Sequence, residues 1–96
     1  MMLLITYDVS THDENGDYRL RRVAKLCMNY GQRVQKSVFE CIVTPAQAIK
    51  LESELSSVID SSYDSIRIYR LGGDYASKIT HIGAKKPLNL NGTLIF

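Results

Sequence analysis

The sequence predicts an α+β fold, a layer of strands beneath two helices, and three observations lead there. The opening stretch Leu3 to Ser10 reads as a buried strand, and two later stretches carry apolar residues at helical spacing behind cap signals. The elements follow one another as strand, helix, strand, strand, helix, strand.

Five of the seven residues Leu3-Leu4-Ile5-Thr6-Tyr7-Asp8-Val9 are apolar or aromatic, the composition of a strand buried on both faces near the middle of a sheet. Asp8 interrupts it. A carboxylate at the end of a buried strand is costly to desolvate without a cation, a donor or a metal. The plain reading is a turn cap or an arginine partner; the sharper one is a ligand or a catalytic group.

Thr11 to Gly16 is a polar loop in which His12 is either a proton carrier or simply solvated. A helix is expected from Asp17, with Leu20, Val23, Ala24, Cys27 and Met28 on its apolar face. Arg19, Arg22 and Lys25 fall on the other side, with Arg21 at the margin and Gly31 as the left-handed stop. Arg33 to Thr44 is long for one strand and divides into two around Lys36 to Val38, although no Asn-Gly or Asp-Gly marks the turn. Thr44-Pro45-Ala46-Gln47 is a capping box with proline at the first helical position. The helix it opens presents Ala48, Leu51, Leu55, Val58 and Ile59 on one side and Glu52, Glu54 and Asp60 on the other. After the loop 61–64, Ser65 to Leu71 alternates Ile66 and Ile68 with Arg67 and Tyr69, as a strand does.

This order is that of two interlocked βαβ units, the ferredoxin-like βαββαβ sandwich, with both helices on one face of an antiparallel sheet. No third helix exists to cover the other face. A partner copy is one way to cover it, and a chain of 96 residues is short enough to gain from pairing. Residues 1–96 are thus one domain, of which 76–96 is a C-terminal extension. Ile79 to Ile82 reads as a short strand, and the apolar ending Leu94-Ile95-Phe96 suggests that the tail docks on the sheet of a second subunit, a strand-exchanged homodimer.

Residues 17–36 hold six basic side chains against one acid, residues 37–64 one against five, and residues 65–96 five against one. Such asymmetry suits a basic face for a polyanion and an acidic face turned elsewhere; the alternative is a solvated mixed surface. Cys27 and Cys41 fall at apolar positions without a metal-binding spacing, so buried free thiols are expected. No stretch is apolar enough to span a membrane and no basic leader opens the chain, which places the protein in the cytoplasm.

Three stretches together resemble a known family. They are Ile5-Thr6-Tyr7-Asp8-Val9, the run Gly31-Gln32-Arg33-Val34-Gln35-Lys36-Ser37-Val38-Phe39-Glu40-Cys41, and His81-Ile82-Gly83-Ala84-Lys85-Lys86-Pro87 through Leu94-Ile95-Phe96. The family is that of the CRISPR-associated protein Cas2, and the tail is similar to the subtype found with type I-C loci. The resemblance implies a ferredoxin-like homodimer that works with an integrase subunit to install new spacers. It also implies a magnesium-dependent (or manganese-dependent) endonuclease acting on RNA or double-stranded DNA. By position, Asp8 matches the metal-binding aspartate, Tyr7 the residue before it, and Arg33, Ser37 and Phe39 the residues that act in or shape the site. Arg19 and Arg21 are looser matches, since the loop before the first helix varies in length.

Magnesium takes one or two carboxylates together with water and phosphate oxygens, so one Asp8 per chain is thin for a nuclease. A twofold axis bringing two Asp8 side chains together would supply the second. Three readings follow. One is a metal-dependent phosphodiesterase with Asp8 as ligand. Another is a dimeric adaptor that holds duplex DNA on Arg19, Arg21, Arg22, Lys25, Arg33 and Lys36 while its partner does the chemistry. The third is an RNA-recognition sheet with Tyr7 and Phe39 stacking on bases, although the glycine and aromatic pattern of that module is missing.

Overall fold

The computed structural model describes residues 1–84. Its first strand, β1 (Met2–Asp8), lies between two neighbours. Along the chain follow α1 (Gly16–Met28), β2 (Gly31–Gln35), β3 (Val38–Ile42), α2 (Pro45–Val58) and β4 (Ser65–Gly72), then a single 3-10 turn at Ala76–Lys78. The strands run in the spatial order β2-β3-β1-β4, and every adjacent pair is antiparallel. This is the βαββαβ order read from the sequence. No described helix is long and apolar enough to cross a membrane.

Cross-strand register separates the two faces, because residues directly opposite one another point to the same side. Ile5 pairs with Phe39 on β3 and Ile68 on β4, Leu3 with Cys41, and Tyr7 with Ile66. These side chains meet Val23, Ala24, Leu26 and Cys27 of α1 and Ala48, Leu51 and Leu55 of α2 in one core. The opposite face carries Leu4 between Glu40 and Tyr69, Thr6 between Val38 and Arg67, and Asp8 opposite Ser65. There β1 is only half-buried at Leu4 and Thr6, and Asp8 is exposed. The expectation of a strand buried on both faces therefore holds for one face alone, since both helices lie on the same side.

Helix α1 begins at Gly16 behind Asn15, whose side chain makes no capping bond. Its buried stripe is Arg19, Val23, Leu26 and Cys27 with Ala24, rotated from the predicted one, and Met28 is 61% exposed. Gly31 is not the left-handed stop: the helix ends at Met28, and only Gly72 and Gly83 have positive φ among the described residues. Gly31 opens β2, where a Cβ would strike the Glu40 carbonyl oxygen, so the glycine answers to a close backbone approach.

The β2–β3 hairpin turns at Lys36 and Ser37 without positive φ, which explains the missing Asn-Gly. One extra residue in β2 between Arg33 and Gln35 shifts the register and supplies the twist that a primed turn would otherwise provide. Helix α2 starts on the full capping box: Thr44 Oγ1 accepts from the Gln47 N–H at 3.1 Å, and Gln47 Oε1 accepts from the Thr44 N–H at 2.9 Å. Cys27 and Cys41 are buried and free, the Cys41 thiol lying 3.4 Å from the Cys27 carbonyl.

The expected strand over Ile79 to Ile82 is absent: among the described residues no strand pairs with it, and Ile82 is 90% exposed. The predicted docking of the ending Leu94-Ile95-Phe96 falls outside the described residues.

Candidate catalytic strand end and nucleic-acid interface

Asp8 occupies the last position of β1, on the sheet face that no described helix covers, opposite Ser65. The desolvation problem foreseen for a buried acid does not arise in the single chain, where no ion pair among the described residues engages its carboxylate. Among those residues no group of three or more His, Cys, Asp or Glu side chains could hold a metal ion. One chain therefore offers a single carboxylate with room for water and phosphate oxygens, a donor set that magnesium accepts when a second carboxylate or a phosphate joins it.

Tyr7 precedes Asp8 in the chain but points the other way, as strand alternation requires. Its ring is buried and stacks on Phe39 with centroids 6.2 Å apart, and the Arg33 guanidinium lies 5.3 Å from the Phe39 centroid. Burial raises the Tyr7 hydroxyl above its ordinary pKa, opposed by the charge and hydrogen bond of Arg33. Ser37 reaches this group through its backbone, its carbonyl accepting the Tyr7 N–H at 3.1 Å. The structure thus gathers Tyr7, Arg33 and Phe39 on the helix side and leaves Asp8 on the open side. Phe39 is wholly buried, so it supports Tyr7 and Arg33 instead of touching a substrate. Neither of these two rings lies on the face without helices, so Tyr7 and Phe39 do not form the base-stacking platform.

Of the basic residues, Arg21 and Lys25 on α1 and Arg33 and Lys36 on the β2 hairpin are exposed, and Arg22 is half-buried. Helix α1 packs on β2 and β3, so these groups share one half of the molecule. Arg19 does not belong with them, and its assignment to phosphate contact is corrected. It lies in the buried stripe of α1, donating from Nε to Asp64 Oδ2 at 2.7 Å and from Nη1 to Asp13 Oδ2 at 2.8 Å. Those two acids raise the Arg19 pKa, and hydrogen bonding to Arg19 lowers both of theirs. A guanidinium that is 6% exposed and bonded to two carboxylates spends its charge inside the protein instead of on a phosphate. The missed signal was its spacing: Arg19, Val23 and Leu26 stand at i, i+4, i+7.

A two-layer α+β domain, one face of its sheet uncovered by any described helix and its first strand ending in an exposed acid, defines a ferredoxin-like protein, with Asp8 as the candidate site at the strand end. The particular family follows from comparison: the model described as CRISPR associated protein Cas2 matches residues 1–79, and the chain belongs to that family. The CRISPR-associated endonuclease Cas2 of Halalkalibacterium halodurans is 58% identical over 96 residues, the whole of both chains. The CRISPR-associated endoribonuclease Cas2 of Chlorobaculum tepidum is 55% identical over 95 residues, 99% of each chain. Among solved structures, Streptococcus pyogenes Cas2 at pH 6.5 superposes with a TM-score of 0.75 at 52% identity, over 86% of this chain and all of that one.

Proposed function

We propose that this chain is a divalent-metal-dependent endonuclease of CRISPR spacer acquisition, which cleaves double-stranded DNA or RNA in the cytoplasm and holds DNA for an integrase partner. The observation that carries the reading is Asp8: an exposed carboxylate without an ion-pair partner among the described residues, at the end of β1 on an open sheet face. Its family context supports the reading, since the relatives are named endonuclease and endoribonuclease. Two copies packed through their open faces would bring a second Asp8 to the same place. Magnesium or manganese held there would stabilise charge developing on a phosphodiester. Tyr7, Arg33, Ser37 and Phe39 serve from the helix side: Phe39 and the Ser37 carbonyl fix the strand end, and Arg33 presents positive charge at the edge. Arg21, Arg22, Lys25, Arg33 and Lys36 hold the phosphate backbone without reading bases.

Cleavage of duplex DNA and of RNA by the wild type and by Asp8→Asn, with magnesium or manganese, tests this. Asp8→Asn should lose metal-dependent cleavage while keeping the dimer and non-specific DNA binding. Undiminished cleavage by the purified variant would assign the activity elsewhere.

A second reading, a non-catalytic DNA-holding adaptor, is favoured by the histidines: among the described residues neither is held to Asp8 by a hydrogen bond or ion pair. His12 is an exposed loop residue, and the His81 ring nitrogen lies 3.0 Å from the Gly83 carbonyl in the exposed segment beyond β4. Full DNA binding by a wild type that cleaves neither substrate would select it.

A further inference from the structure

Three contacts fix the end of β1. Before Asp8, the Tyr7 N–H is held by the Ser37 carbonyl at 3.1 Å. Beside it, Asp8 pairs with Ser65 of β4. Beyond it, both backbone groups of Ser10 are taken up by a buried ion pair: the N–H donates to Asp64 Oδ1 at 2.9 Å, and the carbonyl accepts from Arg19 Nη2 at 3.3 Å.

The third contact is of a different kind. The Asp64 side chain is 0% exposed. Its oxygens accept from the Ser10 N–H, from the Asp60 N–H at 2.8 Å, and from Arg19 Nε at 2.7 Å and Nη2 at 3.2 Å. That fills the acceptor capacity of a carboxylate. Arg19 is in turn braced by Asp13, through Nη1 at 2.8 Å and Nη2 at 3.1 Å. A buried charge pair whose carboxylate is saturated is held more tightly than a solvated contact, so it fixes what it touches more sharply. It touches the chain two residues past Asp8, and Asp64 is itself the neighbour of Ser65, the residue opposite Asp8.

We propose that Asp64, braced by Arg19, is the positioning residue for Asp8: it holds the exit of β1 so that the Asp8 carboxylate stands ready for a divalent cation. This rests on the reading of Asp8 as a metal ligand. Asp64 touches neither metal nor substrate, and outer partners of this kind tune metal affinity by about 10- to 100-fold.

The test uses the full chain, with Asp64→Asn and Arg19→Lys, at a temperature where circular dichroism shows both folded. Two quantities are read: amide hydrogen exchange along residues 3–10, and manganese affinity by calorimetry, with Asp8→Asn as the baseline. In Asp64→Asn the amides of residues 8–10 should lose protection while those of Leu3 to Ile5 keep theirs, and manganese should bind about tenfold more weakly or worse. Arg19→Lys, which keeps the charge and loses the fork, should move both quantities the same way, and it carries the test if Asp64→Asn does not fold. A folded variant with a lower melting temperature but wild-type exchange and manganese affinity would make Asp64 merely structural and overturn the proposal. If the wild type binds manganese no better than Asp8→Asn, the metal reading itself fails; the exchange arm then decides alone whether Asp64 holds the strand end.

Discussion

Arg19 shows how far one side chain can depart from what its type suggests. An arginine on a basic helix reads as a phosphate contact, yet here it pairs with the buried Asp64 and the exposed Asp13 and joins the loop after β1 to the loop before β4. The pH dependence of stability follows from the directions of the shifts. Hydrogen bonding to Arg19 holds both carboxyls below the ordinary carboxylate range, near 3.9 in an unfolded chain. Depressed carboxyls add stability that is complete above the unfolded value and is lost as pH falls through the folded one. Melting temperature should therefore be level near neutrality and fall below about pH 4. Asp64→Asn should melt lower at pH 7 and show a shallower acid limb; two parallel curves would mean that the acid limb belongs to other groups.

Among the elements, α2 is the one whose start is written most plainly in the chain. Thr44 and Gln47 satisfy each other's backbone N–H groups, and Pro45 takes the position where no N–H is needed. Thr44→Ala should cost about 1 kcal/mol, a fall of roughly 4–8 °C in melting temperature for a domain of this size, without changing metal-dependent cleavage. Calorimetric melts of the two proteins check this, and an unchanged melting temperature would mean that tertiary packing alone holds the helix start. The Arg70–Glu52 pair between β4 and α2, at 2.8 Å and half exposed on both sides, contributes little beside it.

On the scale of the whole molecule the two faces of the sheet divide the work. The helix side holds the core, whereas the open side presents Leu4, Val38 and Tyr69 among Asp8, Glu40 and Arg67. Burial alone raises the Glu40 carboxyl in the single chain. A face of that composition suits a second copy, and light scattering should give a dimer at micromolar concentration that weakens on truncation after Gly83. A monomeric intact chain would overturn the proposed two-carboxylate site. The exposed arginines and lysines of α1 and the β2 hairpin should make DNA affinity fall steeply with salt. Arg21→Ala and Lys36→Ala should each lower the log-log slope by about one, while Asp8→Asn leaves it unchanged. A flat salt dependence would assign DNA contact to another surface.

Local chemistry and periodicity determined the order of the elements, the capping box of α2, the division of Arg33 to Thr44 into two strands and the buried thiols, because each depends on neighbours a few positions away. Asp8 and its strand were legible for the same reason: an acid closing an apolar run stands out without any partner in view. Tertiary structure alone decided which side of the sheet each residue faces, and hence that Tyr7 and Phe39 lie beneath the helices while Asp8 stands in the open. It also decided that Gly31 serves strand contact with Glu40 instead of ending a helix. The Arg19–Asp64 pair belongs here too. Its partners are 45 residues apart in the chain, and nothing local distinguishes an arginine that meets solvent from one that meets a buried acid carried in by another loop.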